Sequence, residues 1–186
     1  MTGTIETASR RRSWLAAAGV GVLAAAAGYG IHRWWRGGAE PEAANPAAVH
    51  ALLTAPLRDS KGDSRTLENW RGRVLVVNFW ATWCAPCREE IPEFVRMQGR
   101  YGPRGVQFVG VAFDQPQPVE AFAREYGINY PLLIGGLDTM ALMRECGNRA
   151  GVLPYTLVLD RHGNIASRHP GVLNKAKIEA LIEPLI

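Results

Sequence analysis

Signals for metal or nucleic-acid binding are scarce in this chain. Its 186 residues include four histidines, His32, His50, His162 and His169, which show no regular ligand spacing. That argues against a histidine metal centre. Positive charge is missing where a nucleic-acid surface would need it. The formal net charge is +4, but residues 1–36 hold five arginines and one glutamate. The remainder balances sixteen basic against sixteen acidic groups, so no basic stripe is left to follow a phosphate backbone. No internal repeat or low-complexity tract occurs. Such a chain accommodates one domain of about 140–150 residues with an N-terminal extension.

Charge is also absent from residues 13–31, a run rich in alanine and glycine. As a helix it would reach about 28 Å, near the hydrocarbon thickness of a bilayer. Arg10, Arg11 and Arg12 precede it, and His32, Arg33, Trp34, Trp35 and Arg36 follow, with the tryptophans suited to a headgroup belt. Three readings stay open: an uncleaved anchor, a cleaved signal peptide with Ala-x-Ala sites among Ala24 to Ala27, or a buried helix. The chain then divides into a basic cytoplasmic tail at 1–12, an anchor or signal segment at 13–35, a Gly/Pro/Ala linker at 36–50 and a domain at 51–186.

Cysteine is the third scarce residue, with three in all. Val74-Leu75-Val76-Val77-Asn78-Phe79-Trp80 reads as a strand buried on both faces. Cys84 and Cys87 follow after a short turn, where a helix should begin, and at i and i+3 they share one helical face. A CxxC in that position reads as a dithiol–disulfide redox centre. Unpaired N–H groups and the positive helix end would stabilise a thiolate at Cys84. A metal carrier in which the same two thiols hold copper or zinc is the competing reading from another class. Cys146 is the odd cysteine: either a packed residue beside Leu142 and Met143, or a thiol able to exchange with Cys84 or link two chains.

The rest of the chain supplies a scaffold. Short edge segments flank a turn at Gly62, and Val106–Phe113 reads as a second buried strand. The cysteine helix should run past Pro92 to about Tyr101. A helix over 118–126 should end at Gly127, and Asp138 should cap another reaching Cys146. Tyr155–Leu159 and Ile165–His169 read as a hairpin, and Asn174 as the cap of a last helix. Alternating strands and helices followed by a late hairpin predict a mixed sheet covered by helices.

With the Cys84–Cys87 pair, the late hairpin and the Leu153-Pro154-Tyr155-Thr156 turn in place, the domain resembles the thioredoxin superfamily. More narrowly, it resembles the membrane-tethered TlpA/ResA-like thiol–disulfide oxidoreductases of the bacterial cell envelope. Their Trp-Cys-x-Pro-Cys-Arg-x-Glu-x-Pro motif is matched by Trp83, Cys84, Pro86, Cys87, Arg88, Glu90 and Pro92. The resemblance spans about residues 51–186 and the segment before them. It implies a thioredoxin-like α/β fold, a central mixed sheet flanked by helices, with no cofactor. It also implies that Cys84 is the exposed nucleophile, Cys87 the buried resolving thiol, and Pro154 a cis-proline facing them. The Leu153 backbone would then be available to a substrate strand, with Trp83 an apolar lid beside the thiols. The implied partners are disulfide-bearing proteins such as apocytochrome c and a membrane thiol–disulfide electron donor. The domain would face the periplasm from the inner membrane, or lie there as a cleaved form.

Two positions depart from the wider pattern. Asn78 stands where general thioredoxins carry a buried aspartate, as is normal for this branch. ResA-like members place a glutamate after the second main strand, where this chain has Asp114-Gln115. Glutamine cannot shuttle a proton, so Asp114 takes that role, or water does, or the partner differs. Glu90 matches a family position and is able to tether a loop. An oxidising compartment needs a dedicated reductant, which favours the reductive direction. The same cysteines run as an oxidase if the thiolate is stabilised enough.

Overall fold

The computed structural model describes residues 45–186 and Gly28. The expected tail at 1–12, the anchor or signal segment at 13–35 (Gly28 apart) and linker residues 36–44 lie outside the described residues. Among the described residues, no helix is long and apolar enough to cross a membrane.

The first helix, α1 (Pro46–Thr54), corrects the expected linker at 36–50. Asn45 caps it by accepting from the Ala47 N–H at 3.1 Å, and Pro46 opens its first turn. Ala48, Val49 and Leu52 are buried, so residues 46–50 are part of the fold. A proline that reads as linker punctuation is here a helix start, because the lost N–H has no intrahelical partner at that position anyway.

Strands β1 (Leu57–Asp59) and β2 (Ser64–Arg65) form the expected edge hairpin, and a 3-10 turn at Leu67–Trp70 leads to β3 (Val74–Trp80). Helix α2 (Ala85–Tyr101) runs through Pro92, and β4 (Val106–Ala112) follows. Then come α3 (Pro116–Glu125), β5 (Leu132–Ile134) and α4 (Leu137–Glu145). The chain closes with β6 (Tyr155–Leu159), β7 (Ile165–Pro170) and α5 (Lys175–Ile182), the last capped by Asn174, whose side chain accepts from the Lys177 N–H at 3.0 Å. Asp138 is not a cap. Gly136 holds that position, and Asp138 lies in the first turn of α4, where the positive helix end favours its charge.

The sheet order is β2-β1-β5-β4-β3-β6-β7. Central β3 pairs parallel with β4 and antiparallel with β6, and all seven of its residues are buried. Its alternation divides the core. Leu75, Val77 and Phe79 pack with α1 and α4 residues such as Leu52 and Met143, whereas Val74 and Val76 meet Phe94 and Met97 of α2 and Ile178 of α5. Parallel pairing brings the carboxyl ends of β3, β4 and β5 together, and the antiparallel register sets Tyr155, at the start of β6, against Phe79. The loops leaving β3, β4 and β5 therefore gather with the loop arriving at β6. The chemistry-bearing residues occupy that end.

Candidate active site

The turn from β3 to α2 is held from both sides. Cys84 N–H donates to the Ala81 carbonyl at 3.2 Å, and the Thr82 hydroxyl donates to the Asp114 carboxylate. Cys84 is the N-cap residue of α2 with extended backbone, Pro86 lies in the first turn, and Cys87 faces inward. The two sulfurs are joined as a disulfide, with Cα atoms 5.3 Å apart. Both are buried, so Cys84 is not the exposed residue expected, but they are not equivalent: Cys84 keeps 6% of its surface, while Cys87 keeps none. A thiol at this helix start is the one an incoming disulfide reaches, and the unpaired N–H groups of the first turn favour its anion.

Around the pair pack Trp80, Ala81, Ile91, Ala112, Val119 and Phe122, with half-buried Leu153 against them. Trp83, expected as an apolar lid, carries its ring largely in solvent at 70% exposure. Leu153–Pro154 is a cis peptide. Because Tyr155 pairs with Phe79, Pro154 sits where β3 gives way to the cysteine turn. Its carbonyl accepts from Gly171 N–H at 2.9 Å, whereas the Leu153 N–H and C=O have no hydrogen-bond partner among the described residues.

Glu90 lies three residues beyond Cys87, on the buried face of α2 that continues through Ile91, Phe94 and Met97. Its carboxylate is 1% exposed. Asn78 Nδ2 donates to one oxygen at 2.7 Å, and Leu173 N–H donates to the other at 2.9 Å. Burial pushes the carboxyl up to about 7, with the Leu173 and Asn78 hydrogen bonds holding it back. Asn78 also donates to Thr156 Oγ1 at 3.1 Å, and its own Oδ1 has no partner among the described residues. Glu90 thus ties α2 to β3 and to the segment before α5.

Asp114 and Gln115 divide their duties. Asp114 accepts from the Thr82 hydroxyl and, at 2.7 Å, from Gln115 N–H, so it fastens the loop after β4 to the cysteine turn. Gln115 is exposed at the N-cap of α3 and makes no side-chain cap bond. The fully buried carboxyl of this region belongs to α2, at Glu90. Its signal was the helical period, which aligns Glu90 with Cys87.

Arg88 lies on the exposed side of α2. Its guanidinium donates to the Tyr126 hydroxyl at 3.1 Å and lies 5.9 Å from the Phe122 ring centroid. It covers the aromatic pair that backs Trp80. Cys146 is fully buried on the other side of the sheet, with Met143 and Tyr155. Burial pushes its thiol up to about 11. It lies in a different buried cluster from the disulfide. Asn148 escaped the sequence reading; its buried amide binds the backbone of Val152 at both polar atoms. Among the described residues, no group of three or more His, Cys, Asp or Glu side chains is placed to hold a metal ion.

Residues 48–168 match the model of the AhpC/TSA family. The thiol–disulfide oxidoreductase ResA of Halalkalibacterium halodurans is 29% identical over 176 residues, covering 94% of this chain and 95% of that protein. The protein of the same name from Geobacillus kaustophilus is 32% identical over 142 residues, covering 74% and 79%. A crystal structure of a thioredoxin-family thiol:disulfide interchange protein from Chlorobium tepidum superposes with a TM-score of 0.61 at 29% identity. It covers 70% of this chain and 94% of that one.

Proposed function

The chain belongs to the AhpC/TSA family, and on that premise we propose that it works as a thiol–disulfide oxidoreductase in the reducing direction. The observation that carries this reading is the Cys84–Cys87 disulfide at the start of α2, with Cys84 keeping 6% of its surface and Cys87 none. In the reduced protein, the Cys84 thiolate attacks one sulfur of a substrate disulfide. A mixed disulfide forms, and the other substrate sulfur leaves as a thiolate that takes up a proton. Cys87 then gives up its proton and attacks Cys84 Sγ. The Cys84–Cys87 bond closes and the second substrate thiol departs, so two electrons have passed from the dithiol to the substrate.

The surroundings support each step. Leu153 offers an N–H and C=O that are unpaired among the described residues, packed with the thiols' cluster and suited to the backbone of an extended polypeptide. Pro154 brings no N–H toward the sulfurs. Glu90, one turn beyond Cys87 with its carboxyl near 7, suits the proton that Cys87 releases. Asp114, with Thr82, keeps the turn in shape, and Gln115 is a surface residue of the same loop. The substrates we infer are envelope proteins whose cysteines must be kept reduced, apocytochrome c among them. A membrane thiol–disulfide protein would return the electrons, and residues 13–35 would hold the domain at the outer face of the inner membrane.

The test is trapping with the full chain. Cys87→Ser should accumulate a mixed disulfide with a disulfide-bonded peptide, and Cys84→Ser should form none. Equal loss of adduct in both variants would sink the assignment of roles. Direction is read from the reduction potential of the pair: near or below about −250 mV for a reductase, near about −120 mV for an oxidase.

A further inference from the structure

The loop from α4 to the cis-proline is built around one buried amide. Asn148 is 3% exposed. Its Nδ2 donates to the Val152 carbonyl at 2.7 Å and to Met143 Sδ at 3.4 Å, and its Oδ1 accepts from Val152 N–H at 3.2 Å. The Gly151 N–H donates to the Asn148 carbonyl at 2.9 Å. Gly147 (φ 114°) and Gly151 (φ 65°) flank this arrangement in the left-handed region, which other residues adopt at a cost.

Both backbone polar atoms of Val152 are thus occupied by a single side chain, as a neighbouring strand would occupy them. Pro154 has no N–H, and its carbonyl is taken by Gly171. Tyr155 belongs to the sheet. Among the described residues, Leu153 is left as the residue of this strip with an unpaired donor and acceptor, while Val152 is 46% exposed next to it. A buried amide with all its contacts satisfied fixes its partner strongly, since releasing it would strand several polar groups.

We propose that Asn148 is a positioning residue: its buried amide clamps Val152 and so presents Val152–Leu153 as a preformed ledge for the backbone of a polypeptide disulfide. The inference rests on the thiol–disulfide reading above and adds the residue that positions the strip facing its polypeptide substrate. A small disulfide needs only the Cys84 sulfur. A polypeptide also uses the ledge, and gains because the strip is ordered before it arrives. The clamp therefore favours polypeptide disulfides over small ones.

The experiment compares the full chain with Asn148→Ala and Asn148→Asp, using a peptide closed by an intramolecular disulfide and hydroxyethyl disulfide as probes. Asn148→Asp keeps the shape and the acceptor for Val152 N–H but cannot donate to the Val152 carbonyl when charged. KM for the peptide should rise about tenfold in Asn148→Ala, the loss expected for one or two hydrogen bonds, and by less in Asn148→Asp. The maximal rate, the rate with hydroxyethyl disulfide and the reduction potential should each move by less than twofold. Met143→Leu, which keeps both Val152 bonds, should leave the peptide KM within twofold.

Equal slowing with both probes, or lower thermal stability with an unchanged peptide KM in the folded Asn148→Asp variant, overturns the clamp and leaves the redox site standing. Failure of the unaltered protein to reduce either probe overturns the redox reading, and the clamp with it.

Discussion

Cys84 and Cys146 sit at opposite ends of helices, and nearly everything that differs between them follows from that. Cys84 is the N-cap of α2, where unpaired N–H groups and the positive dipole end meet its sulfur. Cys146 is the C-cap of α4, at the carbonyl end, with its own carbonyl taken by the Tyr155 hydroxyl at 3.2 Å and Arg168 Nε at 3.0 Å. One sulfur is joined to Cys87 in a residue that keeps 6% of its surface. The other is enclosed by Met143, Tyr155 and Leu157, and burial raises its thiol to about 11. Reactivity is a property of the place, and the residue type alone does not reveal it.

The sharpest way to break this comparison is alkylation of the reduced protein at pH 7. With a thiol near 11, about one Cys146 in ten thousand is a thiolate at that pH. Cys84, even with an ordinary thiol, should therefore react with iodoacetamide at least about a hundredfold faster, with Cys146 labelled only after unfolding. Mass spectrometry of time-quenched samples reads the ratio. Comparable rates at the two sites would mean that Cys146 is exposed by a motion the fold does not show.

A second contrast lies between the two carboxylates near the thiols. Asp114 braces a loop in partial contact with water, whereas Glu90 is enclosed and its carboxyl is raised from 4.5 to about 7. Between those values the folded chain holds a proton that the unfolded chain has lost. Stability contributed by neutral Glu90 is complete below about pH 4.5 and is lost as pH rises through 7, by roughly 3 kcal/mol. Glu90→Gln keeps an acceptor for Leu173 N–H, and its amide can donate to an Asn78 turned to offer its unpartnered Oδ1. Urea unfolding of the oxidised proteins from pH 5 to 8 should show the variant losing much less stability across that range. Parallel pH dependence in the two would remove Glu90 as the titrating group.

The parts of this fold that could be read from sequence are those whose burial leaves a pattern. β3 and β4 were legible because strands covered on both faces need continuous apolar runs, and α2 because the cysteine pair and the apolar stripe Ile91, Phe94, Met97 mark one face. Residues 46–50 were misread because Ala-rich composition with proline fits a linker and a capped helix equally. Glu90 was named for its motif position, yet its burial follows from the same stripe that places Cys87 inside. The Asn148 clamp left no comparable signal. It depends on two left-handed glycines bending the loop until a side chain meets backbone four residues away, and such tertiary geometry has no period.

The smallest effect tests the Cys84–Cys146 comparison from the other side. If Cys146 is packing alone, then Cys146→Ala removes one buried sulfur from the cluster with Met143 and Tyr155. Destabilisation of about 1 kcal/mol is expected for so small a cavity, read by denaturant unfolding. The backbone carbonyl that accepts from Tyr155 and Arg168 is unaffected, so the end of α4 and the start of the Asn148 loop keep their anchor. The reduction potential of Cys84–Cys87 should then stay within about 10 mV, well under the roughly 30 mV that marks a tenfold change in equilibrium. A larger shift would show that the third thiol exchanges with the pair. Its burial on the opposite side of the sheet would then be only one of the states the protein occupies.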